Sequence, residues 1–194
     1  MSIEVIEVID LQILNAIQQH MRSDSLDSVM KNFSYLGEIG FIWIVIAGIL
    51  ALKKSTQRIA VMIIAAMLLG CLIGEFGIKN IICRERPFVA ENFNNLAIFK
   101  PDGFSFPSGH SCSSIAAATI IYLWDRQKGI LAYILAVAIA FSRLYLYVHY
   151  PSDVLAGALL GVICAFITYY VGNKIYRNVK FLWYIEEARY YEKV

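Results

Sequence analysis

Charge is what this chain has least of. Only 16% of its 194 residues are Asp, Glu, Lys or Arg, while 59% are hydrophobic. An ordinary soluble domain carries about 25% charged residues and about 45–50% apolar ones. The mean hydropathy is +0.60. A chain of this size has too little interior to hide such a surplus from water, so lipid is its expected solvent. The net charge of +2 is too small to argue for nucleic acid as a partner. The four cysteines, Cys71, Cys83, Cys112 and Cys164, form no CxxC pair and no even spacing. That excludes a disulfide framework and a zinc knuckle, and leaves them as small hydrophobes. The N-terminus carries Glu4, Glu7 and Asp10 where a cleavable signal carries Lys or Arg, so no signal peptide is expected. No low-complexity tract or internal repeat appears.

What the chain does have is apolar runs. Residues 3–21 place Ile6, Ile9, Ile13 and Ile17 on one stripe, an amphipathic helix too charged to span a bilayer. A polar turn, Arg22–Asp27, and a second amphipathic segment, Ser28–Tyr35, follow. Five candidate spans come next, at Leu36–Leu52, Ile59–Ile78, Ser108–Trp124, Ile130–Val148 and Val154–Val171. The expected fold is therefore all-α, an integral membrane bundle of about five transmembrane helices with an N-terminal interfacial segment. As one domain over 1–194, it divides into interfacial helices (1–35), a transmembrane core (36–172) and a cytoplasmic or interfacial tail (173–194). Phe181–Tyr191, rich in Trp and Tyr, reads as interfacial. Lys53, Lys54 and Arg58, then Arg126 and Lys128, then Lys174, Arg177 and Lys180 all fall on one side. The positive-inside rule makes that side cytoplasmic, giving a cell-membrane protein that is N-out and C-in. Two GxxxG pairs, Gly70/Gly74 and Gly157/Gly161, point to close helix packing within the monomer.

Three polar segments interrupt this pattern at the outer ends of the spans: KNIICRERP (79–87), FPSGH (106–110) and SRLYLYVHYPSD (142–153). Ionisable groups near membrane depth are costly and tend to be functional. Lys79, Arg86 and Arg143 would repel one another without an anion, and a phosphate group reconciles them, since Arg forks suit its oxygens. Ser108, Gly109 and His110 open a helix whose free N–H groups form an anion site. Asp153, four residues after His149, can hold one imidazole nitrogen protonated and leave the other as nucleophile. His110 is placed as general acid toward the leaving oxygen. Displacement would run through a phosphohistidine. No carboxylate cluster for a metal is visible, so the cations are expected to take the charge and no cofactor is called for. Each segment alone has a plainer reading, as a helix-opening turn, a basic juxtamembrane turn or an interfacial histidine. Glu75 reads as an i,i+4 partner of Lys79. Tyr145, Tyr147 and Tyr150 read as an interfacial belt, and residues 88–106 as an apolar lid.

Lys79-x6-Arg86-Pro87, Pro107-Ser108-Gly109-His110 and Ser142-Arg143-x5-His149-x3-Asp153 resemble the tripartite motif of the type-2 phosphatidic acid phosphatase superfamily. That superfamily includes membrane lipid phosphatases, soluble acid phosphatases and vanadium haloperoxidases. The resemblance implies a metal-independent phosphoric ester or diphosphate hydrolase in a helical bundle. Lys79, Arg86, Ser108, Gly109 and Arg143 would bind phosphate. His149 would be the nucleophile, His110 the acid and Asp153 the orienting partner. Phosphatidate, phosphatidylglycerol phosphate and a polyprenyl diphosphate such as undecaprenyl diphosphate are the substrates it suggests. Phosphotransfer to an acceptor other than water is one alternative, and an anion-binding transporter another. A transporter should place polar groups near the midplane and show paired halves, whereas these residues cap one face.

Overall fold

The structure, a computed structural model, describes residues 3–191, with side chains for residues 5–178. Nine α-helices are found among them. Helix α1 (Ile3–Met21) and α2 (Asp24–Leu36) lead into α3 (Phe41–Ala51) and α4 (Gln57–Cys71). A π-helical turn, Leu72–Ile78, then runs into the short helices α5 (Lys79–Ile82) and α6 (Pro87–Ala90). Helices α7 (Gly109–Trp124), α8 (Arg126–Tyr145) and α9 (Pro151–Tyr191) complete the described residues. Asp125 caps α8, accepting from the amides of Gln127 and Lys128 at 3.1 Å each. The interfacial character expected of Phe181–Tyr191 concerns side chains outside those described.

Helix α7 forms the axis. Its Ala116, Ala117, Ala118 and Ile120 are fully buried, and α4, α8 and α9 surround it. Small residues make that sheath possible. A Cβ on Gly157 would stand 2.4 Å from the Ser108 carbonyl oxygen, and one on Gly161 2.4 Å from that of Cys112. Both GxxxG pairs are thus spent inside the chain, Gly70 against Cys112 and Gly74 against Leu160.

By length and apolarity, Gln57–Ala90, Arg126–Tyr145 and Pro151–Asn178 can each cross a membrane. A fourth crossing arises if Asp24–Leu36 and Glu38–Ala51, bent by 49°, count as one. The five expected spans are all helical, but α3 has only 11 residues and α7 only 16, too short to pass that test alone. At 1.5 Å per residue, α7 reaches about 24 Å against a hydrocarbon core of about 30 Å. The expected boundary at Leu36 cuts the bent unit at its break. There Ile39 (φ 52°) and Gly40 (φ 72°) turn the backbone into the left-handed region.

Helix α1 differs most from expectation. Its inward residues are Asp10, Leu14 and Ile17, whereas Ile6, Ile9 and Ile13 of the expected stripe stay exposed. It packs on α8 and α9. The stripe therefore does not mark the face that packs on the bundle. The tyrosines also depart from a belt. Tyr145, Tyr147 and Tyr150 are buried, with Tyr145 donating to Asp27 at 2.6 Å and Phe93 stacked on Tyr147 at 4.5 Å. Much of the expected lid is packed down with them: Phe88, Phe93, Leu96 and Ile98 join this second core, while Val89, Phe104 and above all Phe99, 92% exposed, face outward.

Candidate active site

The three polar segments converge at one end of the bundle. They surround a cavity of about 580 Å³ that Lys79, Arg86, Gly109, His110, Arg143 and His149 all line. Ser108 and Asp153 lie behind that wall, both fully buried. Ser108 is the N-cap of α7, its hydroxyl oxygen accepting from the Ser111 hydroxyl at 2.9 Å. The Ser108 amide donates to the Asp153 carbonyl at 3.0 Å, which ties the start of α7 to the start of α9.

Each cation is aimed by a different element. The π-helical turn widens the helix one turn before Lys79. It lets Lys79 Nζ meet both carboxylate oxygens of Glu75, at 2.7 and 2.8 Å, the i,i+4 pair expected from the spacing. Glu75 Oε1 would stand 2.5 Å from a Cβ on Gly109, so glycine there leaves the helix N-terminus open to an oxyanion. Arg86 is gripped by carbonyls, donating to Gly103 at 2.9 Å, Asp102 at 3.0 Å and Val148 at 3.1 Å. Arg143 donates to the Ser34 hydroxyl on α2. Its Nε is buried and has no partner among the described residues.

Each histidine has a carboxylate of its own. His149 Nε2 lies 3.3 Å from Arg86 Nη1. A guanidinium can only donate, so Nε2 carries the lone pair and Nδ1 the proton. That Nδ1 points at Asp153 Oδ2, 3.5 Å away. The distance is long for a hydrogen bond, as is common before substrate binds. Burial first, then the charges of Arg86 and Arg143, pushes the His149 pKa well below the ordinary imidazole value. The ring is thus held neutral at neutral pH, the form a nucleophile requires. His110 Nε2 has Glu38 Oε2 at 3.5 Å. The bend at Gly37–Gly40 brings Glu38 there, since a Cβ on Gly37 would press within 2.9 Å of the His110 ring.

Three residues outside the sequence-derived set enter the site. Glu38 stood at the edge of a span. Arg84, within the RERP turn, donates to Asp153 Oδ1 at 2.8 Å. Asp10 of α1 reaches the same group from the other side. Arg84 lay inside the RERP turn, but nothing in the sequence linked it, Glu38 or Asp10 to the histidines.

The PAP2 superfamily model matches residues 56–177, which hold all three segments. This chain belongs to the PAP2 superfamily. It is 33% identical to an undecaprenyl-diphosphatase of Sulfolobus acidocaldarius over 145 residues, 74% of this chain and 69% of that one. Its fold superposes on Aquifex aeolicus LpxE with a TM-score of 0.74 at 26% identity, covering 84% of this chain and 95% of the other. It superposes as well on a transmembrane PAP2-type phosphatidylglycerolphosphate phosphatase from Bacillus subtilis, with a TM-score of 0.70 and 28% identity over 88% of each chain. The all-α bundle is thus that of a multi-pass membrane protein, and the chain is a membrane lipid phosphatase, a phosphoric ester hydrolase.

Proposed function

We propose that this phosphatase takes phosphate from polyprenyl diphosphates, phosphatidylglycerol phosphate and phosphatidate at the extracytoplasmic face, through a phosphohistidine on His149. The observation that carries the reading is the mixed lining of the cavity. Lys79, Arg86, Arg143 and the two histidines share its lining with apolar Ile44, Ile64, Met67 and Leu68. A charged head and the first carbons of a chain fit such a space together.

The steps follow from the placement. The three cations and the α7 N-terminus hold the phosphoryl oxygens and stabilise the charge they gain. The lone pair on His149 Nε2 forms the N–P bond as the P–O bond to the lipid breaks. His110 supplies the proton that the leaving oxygen takes. Positive charge then resides on the His149 ring, where Nδ1–H faces Asp153. In the second half, His110 takes a proton from water, whose oxygen attacks phosphorus and releases His149.

Turnover of detergent-purified protein with EDTA present tests this directly. Phosphatidylglycerol phosphate, phosphatidate and a polyprenyl diphosphate should be hydrolysed within about two orders of magnitude of one another, because an apolar wall discriminates weakly. Glycerol phosphate should be far poorer. Preference for glycerol phosphate, or activity abolished by EDTA and restored by a divalent ion, would refute the proposal.

The orientation rests on the bundle's other end. Arg58 lies over the Tyr176 ring at 4.6 Å, so the 53–58 loop and the start of the tail share that end with Arg126 and Lys128. With basic loops inside, the cavity opens outside. Asn94 and Ser55 are both exposed, at opposite ends. A cysteine at 94 in a cysteine-free background should react with an impermeant maleimide on intact cells, and one at 55 should not. The reverse pattern would place the catalytic end in the cytoplasm.

A further inference from the structure

Asp153 does not serve His149 alone. Arg84 Nη1 donates to Asp153 Oδ1 at 2.8 Å and to the Ser152 hydroxyl at 2.7 Å, with the guanidinium lying 3.8 Å over the Tyr150 ring. Asp153 Oδ2 accepts the Tyr150 amide at 2.9 Å. A carboxylate so paired is electrically spent: with Arg84 alone, the two charges cancel. Helix α1 changes the count. Asp10, only 2% exposed, accepts from Arg84 Nη2 at 2.8 Å, from the Ser152 amide at 2.9 Å and from the Ser152 hydroxyl. Two carboxylates then share one guanidinium, and the cluster keeps one net negative charge beside the His149 ring.

We propose that Asp10 is a positioning residue for the hydrolytic reaction: by sharing Arg84 it leaves Asp153 with the negative charge that the phosphorylated His149 ring requires. This rests on His149 as nucleophile. Chemistry places a positive charge on a ring already crowded by Arg86, Arg143 and Lys79. A net anionic partner behind Nδ1 stabilises that charge from the side the phosphoryl group does not reach. Asp10 does so without touching substrate or ring. The N-terminal helix, peripheral by its composition, is in this way part of the catalytic apparatus.

Asp10→Asn keeps an oxygen for the Ser152 amide but removes the charge and turns an NH₂ toward Arg84. We expect kcat to fall about 10- to 100-fold, the usual scale for outer partners of an ordered site, with KM nearly unchanged. The rate of ³²P incorporation into the enzyme should fall in parallel. The deciding variant is the double one, Asp10→Asn with Arg84→Gln. It removes one charge of each sign and restores the net negative count, so kcat should recover at least fivefold over Asp10→Asn alone. If Asp10 were only a tether for α1, the double variant would be no better than the single. Either that result or wild-type kcat in Asp10→Asn overturns the inference. The underlying reading fails separately, when label persists in His149→Ala.

Discussion

Replacing His149 with Ala should abolish turnover, by about 10³-fold or more, the scale on which loss of an activated nucleophile is felt. The ring is 2% exposed, lies 3.3 Å from Arg86 and 3.5 Å from Asp153, and its proton sits on the nitrogen facing the carboxylate. No other described histidine has this setting. His110 has its carboxylate partner on Nε2, and His20 is exposed on α1. The fold should survive, because the side chain borders an existing cavity and fills no close-packed core. Protein denatured in alkaline detergent after reaction with ³²P-labelled substrate should carry an acid-labile, alkali-stable label in the wild type and none in His149→Ala. Label that persists in the variant would mean another nucleophile.

Arg143→Gln should lose about 10²- to 10³-fold in kcat, comparable to removing one donor from a preorganised oxyanion site. Its Nε is buried without a partner among the described residues, while Lys79 is matched by Glu75 and Arg86 by three carbonyls. A buried guanidinium with spare donors costs the ligand-free fold, and an anion would satisfy it. The thermal midpoint of Arg143→Gln without ligand should therefore not fall. Vanadate, which adopts a trigonal-bipyramidal geometry like the phosphoryl transition state, should inhibit the wild type and raise its midpoint. Both effects should weaken strongly in the variant. Activity within tenfold of wild type would remove Arg143 from the phosphate site.

The site was legible in the sequence to an unusual degree, and for a physical reason. Lys79, Arg86, His110, Arg143 and His149 are polar groups at helix ends in a chain otherwise rich in apolar residues, and lipid tolerates such groups only where they are gathered and used. Their spacing along three segments of alternating direction was enough to place them at one end. Helices, too, followed from apolar length. The span boundaries did not, because Ile39 and Gly40 break the chain by backbone conformation that hydropathy does not register.

Composition and spacing alone determined that the chain lives in lipid, that it is helical, and which polar residues gather at one end of the bundle. Only the tertiary structure decided what stands behind them. The contacts of Asp10 with Arg84, Arg84 with Asp153 and Glu38 with His110 join segments far apart in the sequence, where no local periodicity links them. The same holds for the facing of α1. Ile6, Ile9 and Ile13 are exposed while Asp10, Leu14 and Ile17 are buried, because the paired Asp10 carboxylate, and not the isoleucine stripe, marks the side that packs on the bundle.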